Sequence, residues 1–585
     1  MLIGSFWLVP TDRLNSIIAR QLTDAFGSNV TLSGRPSVSL VPFLIVSFGP
    51  IEVASSGDNA KPLMEIAQAK GRLSTTSLWE GKPALRYIDL ENANIFLMRD
   101  ETGKTNWSAV RLFSNYDENQ VDAPDLKFSK FLKRITFINS TLNISDPGLE
   151  EVHTFTELNT TIIGPPRSTS FHADGSFIWN GAHVDVSASI NKPGAFMLGD
   201  TSPASLLISS ATLEATFKGD LTWAEELRGD GYVEANVHSA SELAKWLDIA
   251  GGTILPDGPM RLIGDGVFTS QKLDFRPIGI RFQDGKADGR LQLDLTGPSI
   301  GLSGTLAYDR FTFNGGESAS EGAPSTLETL LEMGQSGVNL DLRISADTAR
   351  IAGRNIQNMA LGFILKKPSL LVNIGTADIM GIGDEDTVIS QVRGEINVDF
   401  SEQEKTANAN VTFNNMTAES LEETVGKTLP FDGDTTISLQ VAAKGKGASE
   451  LEDSLNMKVV ADIQDGVLNA INLSEALSTD QAPDGEALND ESSSTPFERG
   501  KIVGTINSSG VFNISQMKLE AEELQATISG RVDISSDQLS MLGRLSSVKL
   551  NEASQSLDVP FTLGGAISKP YISSVNGAAV PASNR

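Results

Sequence analysis

From Val30 onward, apolar and polar residues alternate with a period of two. Leu291-Gln292-Leu293-Asp294-Leu295, Leu340-Asp341-Leu342-Arg343-Ile344, Ile437-Ser438-Leu439-Gln440-Val441 and Ile528-Ser529-Gly530-Arg531-Val532 are examples. This period places apolar side chains on one face and polar ones on the other, as in antiparallel strands with one solvated face. Between such runs lie Asp174-Gly175, Asn180-Gly181, Asp284-Gly285, Asp288-Gly289 and Asp465-Gly466. These pairs supply the positive φ of tight hairpin turns. A loose unit also recurs: apolar, any residue, Asn or Asp, small, any residue, apolar. Leu90-Glu91-Asn92-Ala93-Asn94-Ile95 and Phe137-Ile138-Asn139-Ser140-Thr141-Leu142 show it, and Ile463-Gln464-Asp465-Gly466-Val467-Leu468 is a close relative. Taken as a strand–turn–strand unit, it predicts an extended stacked sheet rather than a compact domain.

A period of 3.6 occurs only in short stretches. Leu14, Ile17, Ile18, Leu22, Ala25 and Phe26 share one helical face, with Thr11 placed as N-cap and Gly27 as C′. Ser239 with Glu242, and Ser325 with Glu328, form capping boxes for helices over 239–247 and 325–333. Residues 421–425 and 473–477 are shorter candidates. Polar loops are expected at 114–125, 315–326 and 479–496. The last is acidic and nearly free of apolar side chains, which predicts a disordered insertion, since strands of the same kind resume at Lys501. At the start, Leu2, Ile3, Phe6, Trp7, Leu8 and Val9 form an apolar run that Pro10 stops. It has about half of the ~20 residues a bilayer span needs. Two readings stand: the outer end of a transmembrane helix with Trp7 at the interface, or an apolar strand packed into the core.

Composition narrows the chemistry. A chain of 585 residues exceeds one ordinary core, so it holds several domains or one elongated repetitive architecture. Lys and Arg number 46 against 74 Asp and Glu, a net charge of −28, which opposes nucleic acid as a partner. The absence of Cys removes thiol catalysis, thiolate zinc sites and disulfides. The four His residues (His153, His172, His183 and His238) show no metal-ligand spacing, although His172 and His183 flank the Asn180-Gly181 turn. Gly381-Ile382-Gly383-Asp384-Glu385-Asp386 lacks the spacing of a calcium loop, and Gly445-Lys446-Gly447 lacks the rest of a phosphate loop. No nucleophile elbow occurs. The expectation is a non-enzyme with no catalytic residue, no metal and no cofactor.

A long sheet with one apolar face must bury that face. With few helices to cover it, the options are a second sheet, a closed tube, or a groove whose apolar wall holds an apolar ligand. The groove reading nominates Leu291, Leu293, Leu295, Ile437, Leu439, Val441, Ile528 and Val532 as lipid-facing. Each is equally a core position facing a second sheet.

Three stretches add a further pattern. The first comprises Val9-Pro10, the 14–26 helix, Val30-Thr31-Leu32-Ser33-Gly34, Val38-Ser39-Leu40-Val41-Pro42, residues 87–100 and Gly103-Lys104-Thr105-Asn106-Trp107. The second runs from Leu421 through Ser438-Leu439-Gln440-Val441 to Ile471-Asn472-Leu473, and the third is Val559-Pro560-Phe561-Thr562-Leu563-Gly564-Gly565 with Lys569-Pro570. In this order they resemble the AsmA family of envelope proteins. The family pattern begins with a full inner-membrane helix, of which this sequence shows only the outer end. The resemblance implies a single-pass protein of the Gram-negative inner membrane with its bulk in the periplasm. The wider superfamily, with TamB-type proteins, is similar to the chorein-type bridge lipid carriers. That implies a mainly β fold: an elongated antiparallel sheet curled into a groove that moves phospholipid toward the outer membrane.

The expected organisation is a membrane-anchor end over 1–10, an AsmA-like region over 11–160, a β-rich groove over 161–415, a second AsmA-like region over 416–575 and a frayed tail over 576–585. About thirty strands fit this length. The expected partners are phospholipid and membrane, with the outer-membrane assembly machinery a further one, and no nucleic acid. The rival function is a scaffold or regulator of outer-membrane protein assembly without lipid transport. A secreted adhesin with a β-solenoid body would need a cleavable signal and an export domain, and neither pattern is present.

Overall fold

The period-two pattern becomes strand after strand. The computed structural model describes residues 11–574 except 27, 40–43, 56–60, 75–83, 99–105, 107–131, 146–151, 165–169, 198, 224–225, 248–257, 270, 283–284, 297–298, 314–337, 352, 382–383, 402, 470, 472, 474–493, 523, 548–557 and 568. Among the described residues are thirty strands. The helices are α1 (Thr11–Phe26), α2 (Pro193–Met197), α3 (Ala240–Trp246), α4 (Ala418–Val425) and α5 (Ala448–Asp453). The chain forms two compact units: residues 1–283 with 288–301, and residues 284–287 with 302–585.

Unit 1 holds β1 (Val30–Leu32), β2 (Ser37–Ser39), β3 (Ile45–Phe48), β4 (Ile51–Val53), β5 (Met64–Leu73), β6 (Leu85–Met98), β7 (Arg134–Ser145) and β8 (His153–Ile163). It continues with β9 (Phe171–Trp179), β10 (Ala182–Ile190), β11 (Thr201–Ser210), β12 (Leu213–Trp223), β13 (Leu227–Val237), β14 (Met260–Thr269), β15 (Lys272–Phe282) and most of β16 (Gly285–Asp294). From β5 to β15 each strand pairs with the next, and β1, β3 and β4 complete the N-terminal end. The N-terminal face is closed by α1, whose Ile18, Leu22 and Phe26 are buried against β1 and β3–β6.

Unit 2 holds most of β17 (Ile300–Phe313), then β18 (Val338–Ile351), β19 (Arg354–Lys366), β20 (Ser369–Gly381), β21 (Asp384–Asp399), β22 (Lys405–Met416) and β23 (Phe431–Gly445). It ends with β24 (Asn456–Asn469), β25 (Ser494–Asn507), β26 (Val511–Glu520), β27 (Leu524–Asp533), β28 (Gln538–Ser547), β29 (Asp558–Ala566) and β30 (Lys569–Ser574). From β18 to β30 every strand pairs antiparallel with its successor. Neither ladder closes into a barrel among the described residues. The fold is the mainly β, open-sheet class expected.

Three expectations need correction. First, the sheet is mixed: β6 and β7 are parallel, with Ile88 beside Ile135 and Leu90 beside Phe137. A parallel pair needs a crossover of a dozen or more residues, and the 114–125 stretch lies within that connection. Second, three of the five turn pairs are not turns, and Asp284 of a fourth lies outside the described residues. Asn180-Gly181, with φ of 46° and 76°, reverses the chain between β9 and β10. Asp174-Gly175, Asp288-Gly289 and Asp465-Gly466 lie inside strands, and Gly285 opens β16. Gly466 is required by its neighbour, because a Cβ there would stand 2.2 Å from the Phe497 ring.

Third, the recurring unit is not strand–turn–strand but an irregularity inside one strand. Asn92, Asn139 and Asp465 have φ of 52°, 47° and 48° within β6, β7 and β24. Register shifts mark an extra residue at Asn139 and Asp465, whereas β6 keeps one register with β5 and β7 across Asn92, where the positive φ alone turns the alternation by one. Leu90 and Ala93 are therefore both buried on the same side, three positions apart. Glu157, Asn358 and Asn415 repeat the device in β8, β19 and β22. Neighbouring sites are tied together: Asn139 Nδ2 donates to Asn92 Oδ1 at 2.8 Å, and Asn139 N to Asn159 Oδ1 at 2.9 Å.

The N-cap half of the expected capping box is present, with Ser239 Oγ accepting from Glu242 N at 3.2 Å ahead of α3. The 325–333 helix, the 315–326 loop and all of 474–477 lie outside the described residues. Of the 479–496 stretch only Ser494, Thr495 and Pro496 are described, and they begin β25.

Candidate functional site: a one-sided apolar face

Directly opposed residues on paired strands point to the same face. The registers of unit 2 therefore trace whole rows of side chains. One row runs Leu342, Phe363, Val372, Ile396, Ala409, Val441, Met457, Ile506, Phe512, Val532 and Leu539, from β18 to β28. At ordinary strand spacing this row is about 48 Å long. A second row contains Ile344, Leu361, Ile374, Val411, Leu439, Val459 and Ile514, with Gly394 and Gly504 between them. A third contains Phe413, Ile437, Ala461, Ile502, Met517 and Ile528. The adjacent row on the opposite face is Arg343, Gly362, Asn373, Glu395, Asn410, Gln440, Lys458, Thr505, Asn513 and Arg531. One face is apolar and the other polar, strand after strand.

Burial along these rows increases toward β27 and β28. Phe363, Val372, Ile396, Val411, Ile437, Leu439 and Val441 are only half-buried. Val459, Ala461 and Ile514 are buried, as are Ile528 at 3% and Val532 at 9% exposed. Met457, Ile502, Ile506, Phe512 and Met517 of β24–β26 remain half-buried, so the apolar face is open over β19–β23, partly covered over β24–β26 and covered at β27 and β28. Helices stand at both ends of β23: α4 buries Leu421, and α5 buries Leu451 against Leu365, Leu370, Val398 and Phe400.

Unit 1 repeats the arrangement. Val186, Ile208, Ala215, Ala235, Leu262 and Ile280 form one row, and Ala188, Leu206, Phe217, Val233 and Ile278 form most of the next. The opposite face carries Asp185, Ser209, Glu214, Asn236 and Arg261 in register. Most of the apolar row residues are half-buried. Aromatic residues concentrate near α3. Trp179 lies edge-on to Trp246 at 5.2 Å and stacks on Phe155 at 5.8 Å. Trp246 Nε1 donates to Trp179 O at 2.9 Å, and Asn180 Nδ2 to Trp246 O at 3.0 Å, which fixes α3 on the β9–β10 turn.

The nominated residues fall as follows. Ile437, Leu439 and Val441 lie on the open apolar face of β23. Ile528 and Val532 lie on the same face but in its covered part. Leu291 and Leu293 are half-buried on β16, and Leu295 lies one residue past it, 45% exposed. Leu2, Ile3, Phe6, Trp7, Leu8 and Val9 lie outside the described residues. The unit 1 face was not nominated, although Val184-Asp185-Val186-Ser187-Ala188-Ser189-Ile190 carries the same alternation.

His172 and His183 are not opposed, facing Ser189 and Ile178 respectively. No group of three or more His, Asp or Glu residues suited to a metal ion occurs among the described residues. Asn106, from the stretch that resembles the family motif, is buried and closes the end of β6: its Oδ1 accepts from Met98 N at 2.9 Å and its Nδ2 donates to Phe96 O at 2.8 Å. No helix among the described residues is long and apolar enough to cross a membrane.

No curated protein matches the chain. The AsmA family model covers residues 1–225, α1 through β12, and the two C-terminal stretches of the resemblance lie outside that range. Over residues 1–225 the chain is similar to the AsmA family, whose proteins are associated with the cell envelope.

Proposed function

We propose that this protein binds phospholipid acyl chains on the open apolar faces of its sheets and carries them between envelope membranes, anchored at the inner membrane with its bulk in the periplasm. The observation that carries the reading is the half-buried apolar face, continuous over β19–β23 of unit 2 and recurring in unit 1. Apolar patches beyond a few hundred Å² are rarely left open to water without a ligand or partner. The face offers no polar group at its centre, so it selects for the chain rather than the head group, and no catalysis is involved.

The test is direct. Protein purified in mild detergent and washed extensively is extracted with organic solvent, and lipids are quantified by mass spectrometry against a control membrane protein. Several phospholipids per chain are expected, and Leu439→Asp should lower that occupancy while leaving the fold intact. Background levels in a folded sample would overturn the reading and favour an assembly scaffold.

A further inference from the structure

The polar face of unit 1 changes sign at one end of β5–β7. A single register joins Arg72, Tyr87, Arg134 and Ile163 across β5, β6, β7 and β8. Both guanidinium groups lie against the Tyr87 ring, that of Arg72 at 5.7 Å and that of Arg134 at 5.2 Å. Such stacking holds the two cations along the sheet. The adjacent register of this face joins Lys70 and Asp89. At the strand ends, Lys133 N donates to Arg86 O at 2.7 Å, so these two residues are also neighbours. Asp89 faces Arg134 at 3.6 Å, and Glu91 accepts from Lys70 at 2.6 Å. Arg86 and Lys133 form no ion pair among the described residues. Five cations thus meet two carboxylates here, whereas the whole chain carries 46 Lys and Arg against 74 Asp and Glu. The side chains of Lys70 and Arg134 are 44% and 42% exposed, and Ile163, opposite Arg134, is 39% exposed. α1 meets the same end, where Gln21 Oε1 accepts from Leu85 N at 3.1 Å and Arg20 is exposed.

We propose that this basic end of β5–β7 is where unit 1 docks on a membrane surface bearing anionic phospholipid head groups. A chain of net charge −28 is repelled by such a surface as a whole. Electrostatically favourable contact requires a face on which the local sign is reversed, and the end of β5–β7 has that sign. Each Lys or Arg near an anionic bilayer adds an attraction that fades within a Debye length, about 8–10 Å. Tyr87 and Ile163 suit the same place, since an aromatic ring and an aliphatic chain set among cations can enter the head-group layer. The cluster therefore selects for head-group charge, whereas the apolar faces select for acyl chains. Docking of this kind needs no bound acyl chain, so the inference goes beyond the lipid-binding reading and stands apart from it.

The experiment floats the full chain, freed of lipid, with vesicles of phosphatidylcholine alone or of phosphatidylcholine mixed with phosphatidylglycerol. Binding to the neutral vesicles measures insertion of apolar surface, and the excess on the anionic vesicles measures docking. An excess of about a hundredfold is expected, at about fivefold for each of three uncompensated charges, and high salt should remove it. The bond that joins Arg86 and Lys133 is between backbones, so both side chains can be replaced without breaking it. Arg86→Gln/Lys133→Gln should cut the excess to about fivefold. Arg86→Lys, which keeps the charge, should behave as the unmodified protein. Arg261→Gln/Arg281→Gln removes two cations from β14 and β15 and should leave the excess unchanged. Far-UV circular dichroism checks that each variant is folded. Equal binding to the two kinds of vesicle would overturn the docking surface, as would an excess that survives Arg86→Gln/Lys133→Gln. An equal loss in Arg261→Gln/Arg281→Gln would trace the excess to net charge and overturn its assignment to β5–β7. None of these outcomes touches the acyl-chain reading, which the lipid extraction above tests alone.

Discussion

The open-face reasoning can be tested by one substitution made at two places. Ile437 and Ile528 share a row of unit 2, linked through Ala461, Ile502 and Met517. They have the same side chain on the same face. They differ in cover: Ile437 is half-buried, and Ile528 is 3% exposed within a packed cluster. Truncating a packed Ile to Ala costs about 2–5 kcal/mol, through lost transfer energy and the cavity left behind. At a half-buried site the same three carbons forfeit about half of ~0.8 kcal/mol each, so roughly 1 kcal/mol, with no cavity. In delipidated protein, Ile528→Ala should therefore cost at least about twice what Ile437→Ala costs. All six Trp residues precede residue 247, so intrinsic Trp fluorescence is blind to unit 2. Native-state hydrogen exchange of β23 and β27 amides, read by mass spectrometry, is the appropriate assay. Equal losses at the two sites would mean that protein packs over β23 in solution as it does over β27. The apolar face would then be a core, and the inference of an open groove would fail.

Further outcomes follow from the bulges, the glycines and the carboxylates. Asn139→Ala should destabilise unit 1 by about 1–2 kcal/mol, since φ of 47° disfavours a side chain without a local hydrogen bond. Asn139→Gly should recover most of that loss in urea unfolding followed by Trp fluorescence. Gly394→Ala should cost at least about 2 kcal/mol, because its φ is 157° and the new Cβ would stand 2.2 Å from Asn410 O; exchange protection in β21 and β22 measures it. The Asp309 carboxylate accepts from Lys286 N at 2.6 Å and Arg310 N at 2.7 Å. The Lys286 amide first, then the Arg310 amide, hold its pKa below the ordinary aspartate value. Its contribution is therefore complete above the ordinary pKa and lost as pH falls through the depressed folded value. Asp309→Asn should flatten that acid limb of stability, measured by far-UV circular dichroism against pH.

The faces of this sheet were legible in the sequence, whereas its turns and its cover were not. Alternation fixes which residues share a face as long as the strand is regular, and so Ile437, Leu439 and Val441 were correctly grouped. It does not tell a bulge from a turn, since both begin with a residue at positive φ. The distinguishing signal is the next residue. Asn180 is followed by Gly181, which also takes positive φ, and two such residues in succession reverse the chain. Asn92 and Asn139 are followed by Ala93 and Ser140, for which that conformation is costly, so the alternation is turned by one residue and the strand continues. Asp465-Gly466 defeats even this rule, because its glycine answers to the Phe497 ring on the neighbouring strand. Cover is harder still. Ile437 and Ile528 each sit in an apolar–polar alternation of the same kind, and nothing local separates them. Ile528 lies in a packed cluster that draws on Ile471 and Leu473, more than fifty residues earlier in the chain, and on Met541 and Phe561 after it. A sheet whose rows are nearly uniform along its length can thus differ in function along that length only through what the rest of the chain lays across it. That is why the decisive residues of such a protein are to be sought in its short connections as much as in its strands.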